Sequence, residues 1–156
     1  MSHSRKQIRS AIATILRTTP TAWLTSAVWE TRIQSSRQTW PYLLVFAESE
    51  DSTNSNVNLA GIYDRVVNVS VVALLRLPGS GDTITIEDKM DTVAAEIETK
   101  LSKTTLTAAL NKVKNLTLTS TAMDVIIEED GIDHAELNMT WQVRYFTAEG
   151  LPEALI

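Results

Sequence analysis

Arg65-Val66-Val67-Asn68-Val69-Ser70-Val71-Val72-Ala73-Leu74-Leu75-Arg76-Leu77 is the stretch that most narrows what this chain can become. A β-branched run of that length crosses a whole sheet, and its apolarity demands burial on at least one side. With a period of two, Val67, Val69, Val71, Ala73 and Leu75 form an apolar face. The other face interleaves Val66, Val72 and Leu74 with Asn68, Ser70 and Arg76. The apolar face needs a cover, and the sequence supplies one next. After the breaker Pro78-Gly79-Ser80-Gly81, Met90, Val93, Ala94, Ile97 and Leu101 recur at steps of three and four, one stripe of an amphipathic helix. Glu87, Asp88 and Asp91 at its start and Lys100 and Lys103 at its end match the helix dipole.

Flanking segments read less sharply. Ser4 and Gln7 have the spacing of a capping box ahead of Ile8, Ala11, Ile12, Ile15 and Leu16, which predicts a first helix ending by Thr18-Thr19-Pro20. Trp23 and Leu24 suit a lid on the core. Val28 to Ile33 reads as a short strand, Gln34 to Thr39 as a turn, and Trp40-Pro41 to Glu48 as a second strand, the two pairing as a hairpin. Glu48 to Gly61 offers almost nothing to bury and predicts a mobile loop, either a tolerated insertion or a contact arm carrying Glu48, Glu50, Asp51, Asn54, Asn56 and Asn58. Leu106, Ala109, Leu110 and Val113 suggest a third helical segment ending near Asn115. Asn115 to Glu129 alternates with a break at Ser120-Thr121-Ala122. The cleanest alternation follows the Asp130-Gly131 turn signal: Ala135, Leu137, Met139, Trp141, Val143 and Tyr145 on one face, polar residues mostly on the other. Residues 148–156 read as a weakly apolar tail.

These elements define an α+β fold: a single domain over residues 1–147 with a mixed, mostly antiparallel sheet of about four to five strands packed by two main helices. A chain of 156 residues, 44% hydrophobic and 21% charged, supports one such core. The net charge of -5 argues against affinity for a nucleic-acid backbone. The absence of cysteine excludes disulfides and thiolate metal sites. No apolar run has signal-peptide or membrane-spanning form, so a soluble intracellular product is expected.

Chemistry-bearing patterns are sparse. Glycine-rich phosphate loops and the Gly-x-Ser-x-Gly elbow are absent. The sharpest candidate is His134 amid Glu128, Glu129, Asp130, Asp133 and Glu136, an oxygen-rich set that could hold a hard cation or, more simply, form a solvated hairpin tip; its spacing is not that of a calcium loop. Three Asn-x-Ser/Thr sequons, at Asn68, Asn115 and Asn138, fall in predicted strands and read as silent. Trp23, Trp29, Trp40 and Trp141 suit core or interface anchors better than a stacking platform. Arg32, Arg37, Arg65, Arg76 and Arg144 lie in or beside strands, where they could pair with acidic helix residues within a fold or across a subunit boundary.

The order of features is more telling than any motif. A short amphipathic helix (Arg5 to Leu16) precedes a strand and arginine-containing turn leading to Trp40-Pro41-Tyr42-Leu43-Leu44-Val45. A long strand then ends near Pro78, followed by an acidic amphipathic helix (Ile86 to Leu101) and a closing strand, Ala135 to Tyr145. In this order the chain resembles the tail terminator proteins of long-tailed bacteriophages, the family of the lambda minor tail protein U, over about Arg5 to Thr147. The resemblance implies a structural protein of the virion, with no reaction and no cofactor. It would be assembled in the host cytoplasm and located at the head-proximal end of the tail. It further implies self-association into a ring, typically a hexamer, that caps the tail tube, stops its polymerisation and receives the head connector, while DNA passes through the channel unheld. A closed ring needs two different complementary patches. Glu87, Asp88, Asp91 and Glu96 facing Arg32 and Arg37 are the expected pair. Alternatives are another head-tail joining or tail completion protein, or a small α+β metal- or ligand-binding enzyme using His134 and its acidic neighbours.

Overall fold

The computed structural model describes residues 3–18, 27–32, 40–54, 61–79, 82–127 and 133–156. Nine elements follow in chain order: α1 (Ser4–Arg17), β1 (Val28–Trp29), β2 (Tyr42–Asn54), β3 (Ile62–Arg76), α2 (Ile86–Lys100), α3 (Lys103–Ala109), β4 (Val113–Ile126), β5 (His134–Ala148) and β6 (Leu151–Leu155). The six strands make one sheet in the order β1-β2-β3-β5-β4, with β6 added to the end of β5. The architecture is α+β in a single domain.

The valine-rich run is β3, and it lies at the centre of the sheet between β2 and β5, antiparallel to both. Its predicted apolar face is buried throughout, with Val67, Val69, Val71, Ala73 and Leu75 in the main core. The alternating face of β5 joins them: Ala135, Leu137, Met139, Val143 and Tyr145 are fully enclosed and Trp141 nearly so. Helix α2 covers this surface with Met90, Val93, Ala94 and Ile97, and Leu101 follows at its C-cap. Its start is fixed by Thr85, whose hydroxyl accepts from the Asp88 amide at 3.1 Å. Helix α1 contributes Ile8, Ile12, Ala13 and Leu16, and α3 contributes Leu106, to the same cluster. Among the described residues no helix packs on the opposite face, which carries a smaller apolar cluster of Tyr42, Leu44, Val72 and Leu74 at one end and polar side chains elsewhere.

Several expectations change. Ser4 and Gln7 are not a capping box; the N-cap of α1 is His3, whose Nδ1 accepts from the Arg5 amide at 3.1 Å. Ser4 Oγ instead donates to the Pro152 carbonyl at 2.7 Å and Gln7 Nε2 to that of Glu153 at 2.9 Å. Both residues are thus occupied in tying α1 to β6. That strand is formed by the residues expected as a tail: the chain turns at Glu149-Gly150, where glycine accepts a φ of 73°, and runs back along β5. β1 and β2 are not a hairpin, because they pair in parallel, with Val28 opposite Leu43 and Trp29 opposite Leu44; a tight turn cannot join parallel neighbours. The expected turn at Gln34 to Thr39 and the lid residues Trp23 and Leu24 lie outside the described residues. α3 ends at Ala109, and Val113 already belongs to β4, a single strand with bulges at Val113/Asn115 and Leu118/Ser120.

The largest correction concerns Glu48 to Asn54. Expected as loop, these residues extend β2, paired with β3 as far as Asn54 opposite Tyr63 past a bulge at Ala47/Ser49. Polar side chains are compatible with a ladder made by the backbone, and Glu50 has a partner set that its sequence neighbours did not reveal. The rest of the expected loop, with Asn56 and Asn58, lies outside the described residues.

Candidate subunit interface

The residues expected to meet across a subunit boundary occupy distinct positions. Glu87, Asp88 and Asp91 are exposed on α2 and Glu96 is half-buried there. Asp88 also receives the Thr85 hydroxyl at 2.8 Å, so part of its capacity is used within the helix start. Arg32 follows β1 at the opposite side of the sheet. Its guanidinium donates to the carbonyls of Ala47 and Glu48 and lies 4.8 Å from the centroid of the Phe46 ring. Arg32 therefore covers backbone acceptors along the outer edge of β2. Arg37 lies outside the described residues.

Arg65 and Arg144 pair within the sheet, not with helix acids. Arg65 bonds Glu50 and donates to Thr147 Oγ1 at 2.8 Å. Arg5 of α1 reaches the same carboxylate at 3.2 Å, and the Tyr145 hydroxyl donates to it at 3.0 Å. Glu50 is thereby held by an α1 cation, a β3 cation and a β5 phenol, although its side chain is only 9% exposed. Burial and the adjacent Glu50 charge both push the Tyr145 phenol well above its ordinary value. On the open face Arg144 pairs with Asp64, its Nε at 3.0 and 3.1 Å from the two carboxylate oxygens.

A second polar group joins α1 to β1. Glu30 accepts from Ser10 Oγ at 2.6 Å and faces Arg17 at 3.5 Å and Arg9 at 3.7 Å. Burial raises the Glu30 carboxyl, but the Ser10 hydrogen bond and the Arg17 and Arg9 charges outweigh it, leaving its pKa below the usual range. Arg17 also donates to the Val28 carbonyl at 2.6 and 3.1 Å.

The two sides of the sheet are consequently unlike. The β1/β2 side has backbone carbonyls occupied by Arg17 and Arg32. The β4 side presents Met123, Val125 and Ile127, which are 39%, 47% and 69% exposed. Val125 borders a groove of about 520 Å³ with Leu77, Pro78, Ile84 and Ile86. Sequence reading placed the alternation around Met123, Val125 and Ile127 correctly but gave no sign that this half of β4 lies beyond the helices.

His134 is buried, its ring 5.5 Å from that of Trp40 and its Nε2 3.5 Å from Glu136. Among the described residues no three His, Cys, Asp or Glu side chains converge as a metal-binding set. Glu128, Glu129 and Asp130 lie outside them. Nor is any described helix long and apolar enough to cross a membrane. The open face has a shallow concavity of about 360 Å³ lined by Asp51, Thr53, Asp64, Asn115, Thr117, Gln142 and Arg144.

No protein-family profile and no curated protein matches the sequence. Among solved structures, the fold is similar to that of a chain from the virion of a native gene transfer agent (GTA) particle. The TM-score is 0.57 at 14% identity, covering 87% of this chain and 92% of that one. At that identity the similarity establishes a shared fold.

Proposed function

We propose that this protein is a structural component of a phage-type virion, specifically a tail terminator that closes into a ring, a hexamer as the family resemblance implies. The ring caps the tail tube, stops its growth and receives the head connector. The observation carrying this reading is the fold shared with a virion chain over nearly the whole length of both proteins. It agrees with the family resemblance read independently from the order of sequence elements. The sheet's uncovered face supports the same role. Asn68, Thr117, Thr140 and Gln142 are uncharged and polar, and the cations there, Arg144 and Lys114, are balanced by Asp64, which pairs with Arg144, and by Asp51. A surface of this kind suits the wall of a channel that DNA must slide through, because it offers phosphates little attraction. The role requires no catalytic step, and the protein works by surface complementarity.

Electron microscopy of the purified protein, alone and mixed with tail tubes, tests the proposal. Rings, or tubes bearing an extra terminal disc and no longer elongating, are the expected result. A protein that stays monomeric and leaves tube ends unchanged would overturn it.

A further inference from the structure

We infer that the two opposite edges of the sheet are the two halves of one head-to-tail contact between copies of this chain. The inference rests on the ring reading above and names its seam. Strand pairing places Asp51, Val66, Arg144 and Asn115 in one row running from β2 to β4. Asp51 ends that row at one edge. At the other, Lys114 projects from the bulge beside Asn115, on the same open face, its Nζ 5.3 Å from the Phe146 ring centroid. Lys112 adds a second exposed positive charge there. At this height one edge therefore ends in a carboxylate and the other in an ammonium group, while Arg32 lies farther along the first edge, against the Ala47 and Glu48 carbonyls.

A second row reads Trp29, Leu44, Val72, Asn138 and Ala122. It begins at an indole that is 47% exposed on β1 and ends at a small residue on the same open face, while the neighbouring Met123 alternates onto the helix-bearing side opposite Leu137. Copies standing side by side without a shift along the strands bring row against row. Lys114 then meets Asp51 of the neighbour, and Trp29 meets Ala122 on the same open face. Because the two patches differ, the contact is heterologous: it continues from copy to copy instead of stopping at a dimer, and forms the proposed ring when its rotation closes. Opposite charge fixes the register, and burial of the exposed Trp29 indole against Ala122 adds apolar contact. Arg17 and Arg32 keep the β1/β2 edge from pairing indiscriminately through its backbone.

The absence of cysteine makes the test direct. Asp51 and Lys114 are separated by three strand spacings, roughly 14 Å, too far for a disulfide within one chain. The double variant D51C/K114C, oxidised at assembly concentration, is expected to give a ladder of covalent multimers ending at the ring size, while each single variant stops at dimers. D51K and K114E are each expected to reduce assembly by tenfold or more in sedimentation, and D51K/K114E to recover it. Wild-type rings with no ladder and no effect of either reversal would overturn this seam while leaving the ring reading intact. A wild type that forms no ring, alone or on tubes, and no ladder would overturn both.

Discussion

The hydroxyl of Tyr145 on β5 donates to the carboxylate of Glu50 on β2 at 3.0 Å, reaching past the central strand that separates them. The same carboxylate holds Arg65 of that central strand and Arg5 of α1. Removing it leaves two guanidinium groups and a buried phenol without their shared acceptor. Glu50→Ala is expected to cost about 2–3 kcal/mol, the scale of charged hydrogen bonds in a mostly enclosed site. That corresponds to a fall in Tm of roughly 4–12 °C for a domain of this size. An unchanged thermal melt would show that the network contributes nothing to stability.

Alkaline titration reports on the same contact. Burial and the nearby Glu50 charge raise the Tyr145 pKa above its reference of 10.0, so above that pH the unfolded chain releases a proton that the folded chain retains. The group's contribution is therefore fully present below pH 10 and is lost as pH rises toward the folded pKa. Urea midpoints for wild type are expected to fall more steeply above pH 10 than those of Tyr145→Phe. Parallel curves would contradict the linkage.

Glu30 gives the opposite limb. Its carboxyl is depressed below 4.5, burial being outweighed by the Ser10 hydrogen bond and the Arg17 and Arg9 charges. The contribution is present above the unfolded pKa and disappears as pH falls through the folded one. Glu30→Gln should melt at a lower temperature than wild type at pH 7 and approach it near pH 3. A constant difference across that interval would mean that the carboxylate's charge is not what matters.

The contrast between what was legible in the sequence and what was not has a physical basis. β3, β5 and α2 were readable because each buries a continuous face, and burial imposes a period of two or 3.6 that residues such as Val69, Trp141 and Ile97 display openly. Ser4, Gln7 and Glu50 were misread because their partners, Pro152, Glu153 and Tyr145, are about a hundred residues or more away. A side chain that fits a local rule carries no mark of a distant acceptor. β1 was assigned to the wrong pairing because two residues hold too little pattern to distinguish a parallel neighbour from a hairpin arm. As for the candidate interface, the apolar alternation of β4 was visible, but its exposure depends on where α2 stops covering the sheet.

Ser4 and Gln7 are expected to act locally. Each donates one hydrogen bond to the β6 backbone, so the double variant Ser4→Ala/Gln7→Ala should cost about 1–2 kcal/mol at most and loosen β6 first. Amide hydrogen exchange is the measurement, read at Ile156, whose amide donates to the Phe146 carbonyl at 3.0 Å. Faster exchange there with unchanged protection along β3 is expected. Uniform acceleration would show that α1 and β6 unfold with the whole core.

Arg32 is the residue at which a seam role and an edge-guarding role predict different results. If its charge faced a neighbouring subunit, Arg32→Ala would leave the melt nearly unchanged and shift the protein toward smaller species. The observed contacts favour the other outcome, because the guanidinium covers the Ala47 and Glu48 carbonyls and rests on Phe46. Their loss should cost about 1 kcal/mol, a modest amount because the side chain is exposed. It should also leave unpaired acceptors along an edge strand, which promotes irregular strand-to-strand association. Arg32→Ala is thus expected to melt a few degrees lower and to form heterogeneous, concentration-dependent aggregates, with Arg32→Lys only partly corrective because an ammonium cannot reproduce the planar fork. Sedimentation and light scattering over a concentration series separate the cases. A clean shift to monomer at an unchanged Tm would return Arg32 to the seam.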